Sequence, residues 1–525
     1  MGAPATRHAR PGPSSMATPT LELDDDTLER ELRKHFGHAG FQGRQLEVVR
    51  AVLAGRDVLV TMPTGAGKSL LYQFPAILLD GLTVVVSPLI ALMKDQVDAL
   101  RAKGLRASFV NSSISAAERA KRLAQAERGE LDLLFVTPER FRSPAFRELA
   151  PRLSIARMAV DEAHCISGWG HDFRPDYWRL GEARALLGDP PTIALTATAT
   201  PQVARDIEEV LHLRDPLVVR TGIERANLFL GAVHVESTEE KIEHLARRVS
   251  EIDGAGIVYS ALIRDLEHLH DEFRRRGIRT LVYHGKLSPE ERRGMQERFL
   301  ASERDVVLAT NAFGMGIDKA DIRFVLHAQI PRTLEAWTQE VGRAGRDGER
   351  SFCELCYFEE DLAVQQNFIS WANPSREYLI GVYETLRGWG ERLAVKDLDD
   401  LRDELLVKQR ADNRVSIALK WLEVLGVTRG SFETHDLALV REFDPAELPD
   451  FVGTEEKKRA NLEALLTMLR FARGEGVCRR VALERHFGLP ESGGDCGACD
   501  VCATSEGWLE SMPSRPVAAT TEEGR

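Results

Sequence analysis

The 525-residue sequence predicts an α/β protein: two tandem doubly wound parallel-sheet domains, then a helical insert and a small cysteine-bearing helical module. Three observations predict it. Apolar runs of strand length alternate with amphipathic helical segments from about residue 45 to 215 and again from about 219 to 360, as in sheets covered on both faces by crossover helices. A glycine-rich loop, M-P-T-G-A-G-K-S over Met62–Ser69, separates the first strand from a helix. Four cysteines crowd between Cys478 and Cys502.

Composition bounds the reading. Hydrophobic residues are 43% and charged residues 29%, ordinary for a soluble globular chain and unlike a disordered one. The net charge of -12 argues against indiscriminate, histone-like binding, while local basic patches still allow contact with nucleic acid. No apolar run approaches the ~20 residues needed to span a bilayer, and no secretory segment follows the N-terminal charges. A soluble, intracellular protein with no membrane partner is expected. Residues 1–20 and 506–525 read as disordered tails. Between them the boundaries fall at 21–218, 219–360, 361–455 and 456–505.

In the first unit the strand Asp57–Thr61 leads into the glycine-rich loop. Gly65 and Gly67 free the backbone to curl its N–H groups around phosphate oxygens, and the helix opening at Leu70 favours an anion at its N-terminus. Thr64, Gly65, Gly67, Lys68 and Ser69 form the expected ATP cradle, with Lys68 on the β- and γ-phosphates and Ser69 on Mg²⁺. The run Ile155–Val160 is a buried strand that releases D-E-A-H, Asp161–His164, at its carboxyl end, where open α/β sheets bind ligands. Asp161 is expected to hold Mg²⁺ and Glu162 to orient or deprotonate water. A lone Asp-Glu pair is more often a helix cap; the accompanying phosphate loop argues against that here. Strands Leu82–Val86, Leu131–Val136 and Thr192–Leu195 end in S-P-L-I, T-P-E-R and T-A-T-A-T. Hydroxyls and short cations thus recur along one rim, as a phosphate-backbone track requires.

In the second unit, strands are expected at Gly256–Tyr259, before Y-H-G-K-L at Tyr283, and at Val306–Ala309. Within Q-E-V-G-R-A-G-R-D-G, Gln339–Gly348, Arg343 and Arg346 stand three apart, a spacing that puts both on one helical face. A guanidinium fork matches phosphate oxygens, so the pair reads as an arginine finger, worth about 10³ to 10⁵ in rate in NTPases.

These motifs resemble superfamily 2 helicases and, within them, the RecQ family of DNA helicases. The most specific element is C-I-S-G-W-G-H-D-F-R-P, Cys165–Pro175, which is similar to that family's aromatic-rich loop. The resemblance implies that Trp169, His171, Asp172, Phe173 and Arg174 contact single-stranded DNA and couple it to hydrolysis. Trp169 and Phe173 offer stacking faces worth about 1 to 3 kcal/mol per base. It also implies two RecA-like domains with ATP between them, His164 and Gln339 as coupling residues, 3′-to-5′ translocation into duplexes and junctions, a part in repair and recombination, and a nucleoid-associated cytoplasmic place if the source is bacterial. An RNA helicase or a non-catalytic nucleic-acid adaptor is the alternative.

The family's adenine-reading motif is similar to F-G-H-A-G-F-Q-G-R-Q, Phe36–Gln45, with Gln45 at the adenine-reading place. Gln42 stands where the pattern has Arg and Gly43 where it has Pro; Arg44 is the cation available in compensation. Cys478, Cys496, Cys499 and Cys502 form C-x17-C-x2-C-x2-C, a set able to close a tetrahedral Zn²⁺ site and similar to the RecQ zinc module. An iron–sulfur cluster is the rival, but no Cys-Pro follows Cys502. Cys353 and Cys356 read as core residues on an apolar strand. The stretch Glu456–His486, rich in Lys and Arg, suits duplex phosphates or merely a solvated helix face.

The family commonly places a winged-helix domain after zinc, yet only 23 residues follow Cys502. Residues 370–449 intervene before the cysteine hairpin instead, with helical segments at Tyr378–Arg387, Asp397–Leu406 and Arg414–Leu425 and an alternating one near Asp436–Val440. That order suits a winged helix upstream of zinc.

Overall fold

The computed structural model describes residues 23–222, 225–314, 317, 319–407, 409 and 412–513. Residues 1–20, read as a tail, lie outside the described residues.

Two parallel sheets carry the molecule. The first comprises β1 (Val58–Thr61), β2 (Leu82–Val86), β3 (Ala107–Val110), β4 (Leu133–Val136), β5 (Ile155–Val160), β6 (Thr192–Thr196) and β7 (Leu217–Arg220), in the order β3-β4-β2-β5-β6-β1-β7. Every residue of β1 to β6 is buried, which is why these strands read as continuous apolar runs. β6 lies between β1 and β5, so the T-A-T segment emerges between the phosphate loop and D-E-A-H. At the opposite end, buried Asp57 accepts from the Arg184 guanidinium at 2.8 Å and from the Thr192 and Arg214 backbone N–H groups, both at 2.7 Å. That carboxylate is satisfied from three sides, as a buried charge must be.

The second sheet comprises β8 (Leu228–His234), β9 (Ala255–Tyr259), β10 (Thr280–Tyr283), β11 (Val306–Ala309), β12 (Ile322–His327) and β13 (Ser351–Tyr357), in the order β10-β11-β9-β12-β13-β8. The helices Thr238–Glu251 and Pro289–Ala301 open on side-chain caps, Ser237 in the first and a full capping box of Ser288 with Glu291 in the second. Cys353 and Cys356 are buried on β13, and burial pushes the Cys353 thiol up to about 12.

The insert contains helices Arg376–Trp389, Leu398–Glu404 and Arg414–Val424, then an antiparallel pair, β14 (Thr428–Arg429) and β15 (Ala438–Leu439). Three helices and a two-stranded wing is the order expected of a winged helix, with Leu379, Leu386, Val415 and Leu422 in its core. The third helix, where a DNA-reading helix would stand, docks on the first unit instead. Arg142 donates to the Glu423 carboxylate at 2.8 Å, Lys420 pairs with Asp176 at 2.8 Å, and Trp421 stacks on Phe173.

The cysteine module, helices Glu455–Arg473 and Arg479–Phe487 with the loop after them, extends the edge of the second sheet. Leu230 N–H donates to the Ala498 carbonyl and Asp500 N–H to the Leu230 carbonyl, each at 3.1 Å. β8 therefore does not present a bare edge at this point. The tail expected from residue 506 is corrected in part: a helix spans Ser505–Leu509, and Trp508 is buried against Phe229 with ring centroids 5.8 Å apart. Met512 is buried in the same cluster, and Arg350 lies over the Trp508 ring. Residues 514–525 lie outside the described residues. Among the described residues no helix is long and apolar enough to cross a membrane.

Candidate nucleotide and nucleic-acid site

The phosphate loop follows β1, and Gly65 and Gly67 adopt left-handed φ of 85° and 74°, open to glycine without strain. A Cβ on Gly67 would meet the Gln45 amide at 2.7 Å. Lys68 donates to the Met62 and Pro63 carbonyls at 2.9 and 3.2 Å, folded back into its own loop. Burial pulls its ammonium below the usual range, against the pull of Glu162 and Asp161. Gln45 donates to the Ala66 carbonyl at 3.0 Å and accepts from Gln42 N–H at 2.9 Å, so its amide braces the loop. Gly43 has φ 52°, which proline cannot reach; the departure from the family pattern at this position has a conformational reason. Arg44 spends its guanidinium on Glu47 at 2.7 Å, so the compensating cation the sequence offered is turned away from the loop.

Asp161 directly follows β5, and Glu162 stands next to it in the left-handed region at φ 50°, a conformation that costs a non-glycine residue about 1 to 3 kcal/mol and clusters at functional sites. Burial, then the neighbouring Glu162 charge, push the Asp161 carboxyl up to about 7, against the pull of Lys68. A buried carboxylate beside a partly buried one, with a single nearby ammonium, suits a divalent cation. Glu162 Oε2 lies 3.4 Å from His164 Nδ1 and, among the described residues, has no hydrogen-bond partner. His164 Nδ1 also meets Thr196 Oγ1 at 2.9 Å, and Thr196 in turn donates to the Thr198 carbonyl at 3.0 Å. Burial, and then His171, hold the His164 ring down at about 4. It is therefore neutral at physiological pH and able to accept at one nitrogen and donate at the other.

His164 stacks on His171, centroids 4.7 Å apart and planes 14° from parallel. The His171 carbonyl accepts from Arg332 of the second unit at 3.2 Å. A continuous series of contacts thus runs from Glu162 through the aromatic loop to the second sheet. In the same loop Arg174 grips Asp172 at 3.1 Å. Trp169 is 41% exposed, whereas Phe173 lies between Trp421, at 5.9 Å, and Phe451, at 5.2 Å. Of the two stacking faces read from the sequence, one is open and one is covered by the insert.

The arginine pair departs from its expected geometry. The helix ends at Val341, so Arg343 and Arg346 sit in the turns beyond it and share no helical face. Gly342 and Gly345, which lack side chains to stabilise another turn of helix, accompany that stop. Arg346 packs its aliphatic stem near Gly65, where a Cβ would lie 3.4 Å from Arg346 Cγ. Arg343 is buried and donates to the Gly314 carbonyl within its own unit. Gln339 and Thr64 line one cleft between the two sheets.

The Sγ atoms of Cys478, Cys496, Cys499 and Cys502 lie within 4.8 Å of one another, with Cys478 and Cys499 at 3.9 Å. Tetrahedral thiolates at about 2.3 Å from zinc stand about 3.8 Å apart, so the four fit Zn²⁺. Arg479 clamps Asp500 bidentately at 2.7 Å and ties this loop to the hairpin. Among the cations of the hairpin, Arg479 is spent there, Arg480 on the Leu228 carbonyl, Arg473 on Glu359 and Arg485 on Glu491. The signal that sequence reading missed is Arg332: it follows β12 in an unremarkable I-P-R-T, and only its position against His171 marks it.

Two parallel sheets, with a phosphate loop on one and an arginine turn on the other packed against that loop, are the architecture of the helicase class. The DEAD/DEAH box helicase domain matches residues 43–207, the helicase conserved C-terminal domain residues 240–348, and the RecQ zinc-binding domain residues 435–503. The ATP-dependent DNA helicase RecQ of Bacillus subtilis is 44% identical over 340 residues, 64% of this chain and 57% of that protein. The probable ATP-dependent DNA helicase RecS of the same organism is 39% identical over 381 residues, 72% of this chain and 76% of that protein. The chain belongs to the RecQ family of helicases. In architecture it is also similar to Mycobacterium smegmatis helicase Lhr bound to ssDNA and AMP-PNP, with a TM-score of 0.52 at 22% identity, covering 84% of this chain and 61% of that one.

Proposed function

We propose that this protein hydrolyses ATP to move 3′ to 5′ along single-stranded DNA and to part duplexes and junctions, in DNA repair and recombination. The observation that carries the reading is the unbroken contact from Glu162 through His164 and His171 to Arg332. It joins the site of hydrolysis to the DNA-gripping loop and to the second sheet. The names of RecQ and RecS, both DNA helicases, favour DNA as the track.

In this reading Lys68 leaves the Met62 and Pro63 carbonyls for the β- and γ-phosphates. Ser69 and Asp161 would hold Mg²⁺, which neutralises phosphate charge when bound. Glu162 orients the attacking water with Oε2, which has no hydrogen-bond partner among the described residues. Arg346, already against the phosphate loop, stabilises the transferred phosphoryl group, and Arg343 joins it when the cleft closes. Gln45 reads adenine once its loop contacts yield to the base, and Gln339 reports the cleft's closure to the second unit. Hydrolysis and reopening shift the strand held by Trp169, His171, Asp172 and Arg174, while Phe173 anchors that loop to the insert. The four thiolates would hold one Zn²⁺, whose chemistry is structural, cross-linking the hairpin and the loop that pairs with the edge of the second sheet.

The test compares unwinding of 3′-tailed DNA, 5′-tailed DNA and RNA duplexes by native protein and Lys68→Ala. ATP-dependent unwinding confined to the 3′-tailed DNA, and lost in Lys68→Ala, is expected. Equal activity of the two proteins would overturn the mechanism, and preference for the 5′ tail or for RNA would overturn polarity or track.

A further inference from the structure

Between the aromatic loop, the second unit and the insert lies a cavity of about 440 Å³. Trp169 and Phe173 come to it from the aromatic loop, Arg332 from the second unit, and Trp421, Phe451 and Lys457 from the insert and the hairpin helix. Phe451 lies flat against Gly168, where a Cβ would fall 2.5 Å from the ring; only glycine allows that approach. The Phe451 and Trp169 rings stand 6.3 Å apart at 53°, and Lys457 Nζ lies 5.6 Å over the Trp169 ring.

The charges in this cavity are unbalanced. Lys457 donates to Asn461 at 3.0 Å and Arg332 to the His171 carbonyl at 3.2 Å; among the described residues neither has a carboxylate within ion-pair distance. The carboxylates on the walls are already engaged, Asp172 by Arg174 and Glu335 by His486 at 2.8 Å. Burial pulls Lys457 down to about 8, and Arg332 adds repulsion. Asp206 attracts Lys457 and Asp172 attracts Arg332, but only from beyond ion-pair distance; two neighbouring cations so placed, beside aromatic rings, match the chemistry of a nucleotide: an anionic phosphate and a flat base.

We propose that the cavity is a nucleotide subsite on the single-stranded DNA track, in which Lys457 and Arg332 grip one phosphate while its base lies against Trp169 and Phe451. This rests on the helicase reading above and extends the grip to the insert and the cysteine hairpin, parts of the chain not expected to touch the tracked strand. It also gives Arg332 two jobs at once: the guanidinium that meets the phosphate is the one that holds His171, and through it His164 and Glu162. Arrival of a strand would thereby be felt at the water-orienting carboxylate.

Anisotropy of a labelled oligo-dT with the full chain, measured across a salt series, tests this. For Lys457→Gln the slope of log affinity against log salt should shrink by about 0.7, one phosphate contact on a single strand. For Phe451→Ala the affinity should fall about ten- to a hundredfold with the slope kept. Phe451 also packs in the insert, so if that variant does not fold, the Lys457→Gln slope decides alone. Native binding with an unchanged slope in Lys457→Gln refutes the subsite and leaves the helicase reading standing; no binding of oligo-dT by the native chain removes both.

Discussion

Glu162, His164 and His171 form the relay at the scale of single residues, and its geometry makes it testable. The imidazole stack links the histidine beside the carboxylate to the loop residue whose backbone Arg332 holds. Coupling energies between sites are typically about 1 to 3 kcal/mol, or 5- to 150-fold. His171→Ala should therefore lower the ratio of DNA-stimulated to DNA-free ATP turnover by about tenfold, read from steady-state hydrolysis with and without oligo-dT. A second residue-scale expectation follows from Lys457, held at about 8 by burial and Arg332. A phosphate is gripped by its protonated form, which is depleted as pH rises above that value. Oligo-dT affinity should fall by up to about tenfold per pH unit above about 8, and the fall should flatten in Lys457→Gln.

At the scale of elements, the aromatic loop and the insert are fitted to each other at Gly168. Gly168→Ala drives a methyl into the Phe451 ring, and overpacking of this kind costs about 1 to 3 kcal/mol. A melting temperature lowered by Gly168→Ala and restored when Phe451→Ala is added would establish the contact as the cause. The cysteine hairpin is fixed to the second unit by a different device. Burial alone would raise the Glu335 carboxyl, but His486, by hydrogen bond and charge, holds it down at about 2. A depressed carboxyl contributes stability above its unfolded value of 4.5 that is lost as pH falls toward 2. Glu335→Gln should therefore narrow the gap between melting temperatures at pH 7 and pH 3. Metal analysis should find about one zinc per chain, and a strong chelator should release the hairpin, seen as faster hydrogen exchange at Leu230 and Asp500.

At the scale of the molecule, the helical insert stands between the two sheet units and the cysteine hairpin and turns its third helix toward the first unit. Joining residue 375 directly to residue 451 would strip Trp421 from Phe173; hydrolysis should then survive while unwinding of 3′-tailed DNA falls, and undiminished unwinding would remove the insert from strand separation. Much of this was legible in the sequence. The two sheets were, because strands buried on both faces must be apolar throughout. So were the phosphate loop, D-E-A-H and the four cysteines, because each is a local constellation whose chemistry requires fixed spacing. The short edge strand β7 and the glycine-containing β8 were less so, since an edge relaxes the demand for apolar residues. Local spacing also misplaced Arg343 and Arg346 on a helix that ends at Val341. By itself the sequence determined a two-sheet ATPase with a thiolate module. Only the tertiary structure decided that Gln45 braces the phosphate loop, that the insert covers Phe173, and that Arg332 and Lys457, 125 positions apart in the chain, face one cavity. Contacts between distant segments depend on how surfaces meet, and the order of residues along a chain does not encode that in any short pattern.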